Sequence, residues 1–271
     1  MAALPSGTDA PVDISPAADL DAETLARLFT AGYEGYWIHI ELDAVAFSRM
    51  ATVSDADLTL SRVASVDGEP VAIVLLARRG SEGWVGGMGV AAPHRRRGIG
   101  RAVLTNTLEA ARDAGIERVT LEVLEQNHPA RELYEGLGFE HVRDLEVWSL
   151  PNGPGEPREV DAARAHAWLR ARREDPEPWQ RDDASVAHLE EVRGLMVDSA
   201  AALVRIAGGR VGVLQLAGQP DALRELLTGA RALGESLVVV NLPAGHPASA
   251  ILEALGGSLD GRQHELELRF S

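Results

Sequence analysis

Apolar positions along the first half of the chain switch repeatedly between strand-like and helix-like spacing. Val12–Ser15 reads as a short strand, and Asp21 as the N-cap of a helix carrying Leu25, Leu28 and Phe29. Glu41–Met50 predicts a second helix. Strand-favouring runs on both sides of Asp67-Gly68 predict a hairpin, because that dipeptide suits the tight turn joining twisted strands. GWVGGMGVAA predicts a third strand with many glycines, and glycine in a strand marks close approach of another backbone or a ligand. From about Ile99 to Ala114, Leu104, Leu108 and Ala111 share one helical stripe that Gly115 closes. Arg118–Leu124 predicts a buried strand. NHPARELYEGLG predicts a short helix opened by Asn127, with Pro129 in its first turn and Gly138 at its end. FEHVRDLEVWSL predicts a final strand or strand pair.

Pro151–Val160, rich in proline and glycine, reads as a linker. The pattern beyond it predicts a helix with Ala163, Ala167 and Leu169, a polar loop holding Trp179, and two strands around Ala207–Gly209. A helix from Asp221, the strand SLVVVNL, a helix from His246 and the strand HELELRF follow. The two halves echo each other. HPARELYEGLGF from His128 is answered by HPASAILEALGG from His246, and AARDAGIERVTLEV by GARALGESLVVVNL. A duplicated unit accounts for both matches. The expected organisation is residues 1–150, a linker at 151–160, and a second unit at 161–271, in a mixed α/β (α+β) class with helices layered on a mixed sheet.

Composition narrows the chemistry. The 271 residues suffice for one large or two ordinary domains, and 45% of them are apolar. No apolar run approaches a membrane span, and the first residues have neither a basic nor an apolar signal region, so a cytoplasmic protein without a membrane partner is expected. The absence of cysteine excludes disulfides, thiolate zinc sites and a cysteine nucleophile, and no metal is expected. A net charge of −15 argues against a nucleic-acid partner. It suits a cationic partner, or simply solubility. All 26 basic residues are arginine.

Three of those arginines stand together in GVAAPHRRRGIGRAVL, where a strand feeds a glycine-bearing turn and then a helix. Free N–H groups at a helix start, helped by the helix dipole, attract an anion. Gly98 and Gly100 let the backbone come close, and Arg95, Arg96, Arg97 and Arg101 add charge-assisted bonds. A pyrophosphate fits this arrangement; a solvated basic turn is the plainer reading of the arginines alone. The segment lacks the Lys and Ser/Thr of a P-loop and the leading glycine of a dinucleotide fingerprint.

GVAAPHRRRGIG resembles the acyl-CoA loop of the GCN5-related N-acetyltransferases (GNAT), whose pattern Arg/Gln-x-x-Gly-x-Gly/Ala is met by Arg95, Gly98 and Gly100. A second motif of that family, Asn-x-x-Ala-x-x-Leu-Tyr-x-x-x-Gly-Phe, is met by Asn127, Ala130, Leu133, Tyr134, Gly138 and Phe139. The resemblance covers about Val12 to Leu150 and is faint beyond. It implies a splayed mixed sheet flanked by helices, followed by a second, degenerate GNAT-like unit, with acetyl-CoA as co-substrate. Met88, Gly89 and Val90 would pair their backbone with the pantetheine arm, and the loop from Arg95 through Arg96, Arg97, Gly98, Ile99 and Gly100 to Arg101 would hold the pyrophosphate. Asn127 would touch the pantetheine or cap its helix. Tyr134 would sit beside the CoA sulfur, although its spacing with Ala130, Leu133 and Leu137 also describes a core stripe.

The implied reaction is direct transfer of an acetyl group to a primary amine, on a small molecule or a peptide. A non-catalytic acyl-CoA sensor or interaction module is the alternative. Where part of the family carries a carboxylate base this chain has Trp84, so Glu122 is the first substitute, with Glu34 or a water chain behind it; Glu122 could equally face solvent. Tyr33, Tyr36 and Trp37 fall where the family builds its acceptor wall, with Trp148 and Trp179 as weaker candidates, and ordinary core is the other reading. In the second unit Leu252 stands for Tyr134 and Gly245 for Asn127, so the scaffold persists without the chemistry. The expected assembly is a monomer with an internal pseudo-dimer, or a homodimer.

Overall fold

In the computed structural model, which describes residues 11–37 and 40–270, the alternating segments become β1 (Val12–Pro16), β2 (Arg62–Val66), β3 (Glu69–Arg79) and β4 (Glu82–Val90). They pair in that order as an antiparallel meander. Asp67 and Gly68 both take positive φ, 53° and 82°, as the hairpin turn requires. Two helices precede the hairpin. Asp21 caps α1 (Ala22–Gly32), its carboxylate accepting the Thr24 N–H at 2.7 Å. Asp43 caps α2 (Ala44–Ser54) through the Ala46 N–H, which moves the predicted start of this helix from Glu41 to Ala44. Leu25, Leu28 and Phe29 of α1 pack with Phe47, Val63, Ile73 and Leu75.

Two of the four glycines of β4, Gly87 and Gly89, answer to α1. A Cβ on Gly89 would stand 2.6 Å from the Gly32 Cα, and one on Gly87 would stand 2.5 Å from the Phe29 ring. Helix and strand backbones therefore touch where larger residues would hold them apart. α3 (Ile99–Asp113) buries Ile99, Val103, Leu104, Leu108 and Ala111. β5 (Arg118–Leu124) runs parallel to β4, but their ladder spans only Glu82↔Arg118 to Trp84↔Thr120. Beyond Trp84, β4 keeps its pairing with β3, interrupted by a bulge at Gly86 where Leu76↔Val85 passes to Leu75↔Gly87.

The described residues divide into two compact units: those up to Leu121 with Gly136–Gly138 and Leu268 to Phe270, and Glu122–Glu135 with Phe139–Glu267. The second holds α4 (His128–Glu135), β6 (Glu140–Pro151), β7 (Glu159–Val160), α5 (Ala162–Arg170), α6 (Asp183–Ala187) and β8 (Arg193–Val197). It continues with β9 (Ala200–Ala207), β10 (Arg210–Gly218), α7 (Pro220–Ala230), β11 (Ser236–Pro243), α8 (Pro247–Ala254) and most of β12 (Ser258–Arg269). It repeats the plan of the first unit: β8, β9 and β10 form an antiparallel meander, and β11 joins β10 in parallel only from Arg210↔Ser236 to Val213↔Val239.

These units part differently from the 1–150, 151–160 and 161–271 division read from the sequence. The cause is β6, which pairs antiparallel with both β11 and β12. Its Trp148 and Leu150 join the core formed by Leu195, Val211, Leu223 and Leu237. In return the residues from Leu268 lie in the first unit, where the Phe270 N–H donates to the Glu117 carbonyl. The proline- and glycine-rich segment after β6 is packed: Asn152 donates to the Gly234 carbonyl, and a Cβ on Gly155 would overlap the Thr228 carbonyl oxygen. No helix among the described residues is long and apolar enough to cross a membrane.

Candidate active site

The arginine-glycine loop leaves β4 through a short turn at Ala92–His94. Arg95 folds back, donating from Nε to the Val90 carbonyl at 2.8 Å and from Nη2 to the carbonyls of Gly32 at 3.1 Å and Glu34 at 2.8 Å. Its guanidinium thus ties the loop to the ends of β4 and α1. Arg96 and Arg97 are exposed, and Arg96 is held left-handed at φ 58°. Gly98, also left-handed at φ 80°, has open space where a Cβ would be. Among the described residues no side chain caps the start of α3, where the N–H groups of the first turn, at Ile99, Gly100 and Arg101, have no partner within the helix. Arg101 reaches the Gly136 carbonyl from Nη1 at 3.2 Å.

An aromatic ladder climbs from the end of α1. Phe29 and Tyr33 stack at 4.8 Å, Tyr33 meets Tyr36 edge-on at 5.1 Å, and Tyr36 meets Trp37 at 5.2 Å. Burial pushes the Tyr33 hydroxyl well above its ordinary pKa, while the Met88 N–H beside it works in the opposite direction. Trp37 ends the ladder 57% exposed. Ile38 and His39 lie outside the described residues. Glu34 is exposed. Trp84 is buried, its ring folded over Gly86 of its own strand.

Glu122, Asn127 and Tyr134 belong to the second compact unit. Asn127 caps α4 by accepting the Ala130 N–H at 3.4 Å, and its own N–H donates to the Leu124 carbonyl. Tyr134 is buried on α4 with its ring 5.9 Å from that of Phe139. Glu122 accepts from Gln180 at 3.5 Å. Gln180 in turn accepts from Asn241, and Asn241 from Gln263 at 2.6 Å. Asn241 is fully buried and left-handed at φ 55°. This polar chain had no spacing in the sequence to announce it. Trp148 and Trp179 are both buried.

At the repeated positions Leu252 is a core residue and Gly245 a left-handed turn. α7 opens at Pro220 without a side-chain cap, and a cavity of about 920 Å³ lies beside it, lined in part by Arg172, Gly218, Gln219, Gly245 and His246. His246 Nδ1 accepts the Ala248 N–H at 3.1 Å and so caps α8. Burial, with the charge of Arg181 adding to it, pushes the His246 imidazole down to about 4. Asp183 receives Arg173 through both oxygens, together with His166 and Gln215, and these bonds hold its carboxyl well below the usual range.

Residues 22–139 match the sequence model of the acetyltransferase (GNAT) family. An N-alpha-acetyltransferase of Sulfurisphaera tokodaii is 35% identical over 31% of this chain and 58% of its own length. The N-acetyltransferase YsnE of Bacillus subtilis is 38% identical over 22% of this chain and 40% of its own length. The chain thus spans about half the length of the curated relatives it matches. Among solved structures, a GCN5-related N-acetyltransferase from Sphaerobacter thermophilus superposes with a TM-score of 0.70 at 16% identity, over 96% of each chain. A tandem GNAT protein from the clavulanic acid biosynthesis pathway superposes with a TM-score of 0.66 at 15% identity, over 96% of this chain and 98% of that one. At such identities the likeness is one of fold. Residues 22–139 are therefore a domain of the acetyltransferase (GNAT) family, carried on a chain that shares the fold of a tandem GNAT protein over nearly its whole length.

Proposed function

We propose that the protein is an acetyl-CoA-dependent N-acetyltransferase that acts on a primary amine by direct attack. The observation that carries this reading is the loop ahead of α3: a left-handed Gly98 in open space, an uncapped helix start and exposed Arg96 and Arg97. Backbone donors with guanidinium groups beside them suit a pyrophosphate. Acetyl-CoA would supply an activated acetyl group and a thiolate leaving group. The edge of β4 beyond Trp84, with no β5 ladder, suits an extended amide-bearing arm along Met88, Gly89 and Val90. Arg95, by bracing the Val90 carbonyl, would steady the Val90 N–H as oxyanion donor.

Tyr134 would donate a hydrogen bond to the leaving sulfur. A phenol pKa near about 10 lies above that of a thiol, about 8.5, so a hydrogen bond rather than full proton transfer is its natural role. Glu122, oriented by Gln180, would take the amine proton. The Tyr33–Tyr36–Trp37 ladder offers an apolar wall for the acceptor. The name of the Sulfurisphaera tokodaii relative supports a peptide α-amine as one acceptor class, beside small-molecule amines.

Titration calorimetry of acetyl-CoA into the protein and into an Arg96→Ala, Arg97→Ala double variant tests this. Saturable binding that weakens at least about tenfold in the variant is expected from the loss of two charge-assisted contacts. A wild-type protein that does not bind acetyl-CoA would sink the reading.

A further inference from the structure

In the second compact unit, β6 and β12 bring together three side chains with metal-ligating atoms. His141 and Asp144 lie three residues apart on β6, a spacing that in a regular strand would send them to opposite faces. The register between β6 and β12 slips here, from Glu265↔Arg143 to Leu266↔His141, leaving Val142 exposed and bulged out. The bulge turns His141 onto the face of Asp144. His264, the cross-strand partner of Asp144, supplies the third group on that face. His141 Nε2 and His264 Nδ1 both reach Asp144 Oδ1, at 2.8 Å and 2.7 Å. One donor atom from each of the three residues falls within 4.8 Å of the other two.

The tautomers follow from one neighbour. Arg131 Nη1 lies 3.2 Å from His264 Nε2. A guanidinium has no acceptor, so Nε2 accepts here and the ring proton of neutral His264 sits on Nδ1, pointing at Asp144. Arg131 is itself held by Glu135, Nε to Oε1 at 2.7 Å.

We propose that His141, Asp144 and His264 form a binding site for a divalent transition-metal ion of the zinc class. Two imidazoles and a carboxylate are a common three-ligand set for such ions, with remaining positions left to water. Arms of about 2.0–2.2 Å around a tetrahedral centre place donor atoms roughly 3.3–3.6 Å apart. Small side-chain rotations therefore convert the hydrogen-bonded cluster into a coordinated one. His141 binds through Nε2 and passes its ring proton to Nδ1. His264 binds through Nδ1, whose proton is exchanged through solvent for one on Nε2. No net proton leaves a neutral imidazole in either exchange. Protonated Nε2 then faces the Arg131 donor, so Arg131 withdraws from the histidine while its pairing with Glu135 remains. Arg131 is thus a built-in competitor of the metal.

Co2+ is the probe, followed by the visible absorption of the bound ion and by competition with Zn2+. The wild-type chain is expected to take up one equivalent that Zn2+ displaces. His141→Ala and His264→Ala should each weaken uptake by about tenfold or more, with far-UV circular dichroism checking that they fold. Arg131→Ala should tighten uptake several-fold, a gain that misfolding cannot mimic. Three outcomes overturn the proposal: a wild-type protein with no saturable uptake, uptake that survives in the His141→Ala, His264→Ala double variant, or an Arg131→Ala protein that binds no more tightly than wild type.

Discussion

Tyr134 shows how much a single side chain is asked to do. It is buried beside Phe139, so Tyr134→Phe keeps the packing and removes only the hydroxyl. If that hydroxyl bonds to the leaving sulfur, turnover should fall by about 10²–10⁴-fold while acetyl-CoA affinity barely changes. Steady-state kinetics beside calorimetry separate the two, and a variant with full turnover refutes the role. His246 makes a different expectation. Its unfolded pKa is near 6.5 and its folded one about 4, so between those values the unfolded chain holds the extra proton. Its contribution is complete above 6.5 and declines as pH falls toward 4. His246→Asn keeps a capping side chain and should flatten that decline by roughly 1–3 kcal/mol, read as the difference between denaturation curves of the two proteins across the window. Some roles at this scale were legible in advance. Asn127 caps its helix as read, because an N-cap is a backbone demand that only a few residue types meet. The use Arg95 makes of three carbonyls, two of them some sixty residues away, was not, because an arginine reads alike whether it faces an anion or braces a loop.

At the scale of elements, the contact of α1 with β4 is the tightest constraint around the loop. Gly89→Ala would drive a methyl group into the Gly32 backbone, and neither backbone can yield as a flexible side chain would. A loss of about 1–3 kcal/mol is expected by chemical denaturation, from forcing an extra methyl group into a packed region. Gly261→Ala, where nothing lies within 4 Å of the added atom, is the control and should be nearly neutral. The glycine-rich strand was readable as a place of close approach; at Gly87 and Gly89 what approaches is the helix. Periodicity likewise found the α3 stripe and the Asp67-Gly68 hairpin, where short-range chemistry decides. It missed β7 and β8, the first only two residues long and the second carrying too brief an alternation to stand out.

At the scale of the whole molecule, the matching segments of the two halves were visible in the sequence, but the destination of β6 was not. Pairing across a sheet is written only in apolar alternation, and β6 and β12 offer nearly the same alternation to either half. A fragment of residues 1–150 leaves behind both strands that pair with β6. It should therefore unfold at a lower denaturant concentration than the intact chain, and limited proteolysis of it should remove the β6 region first; a stable, fully active fragment would contradict this. The same pairing sets a timetable for biosynthesis. β6 is finished at Pro151, but its first partner does not begin until Ser236. At about 5–20 residues per second, the strand waits roughly 4–17 s after it is made. During that interval its edges and the indole of Trp148 are open to passing chains. A ribosome that pauses before β11 lengthens the wait, and one that stops there releases a polypeptide with an unpartnered strand, a natural client for chaperones and proteases.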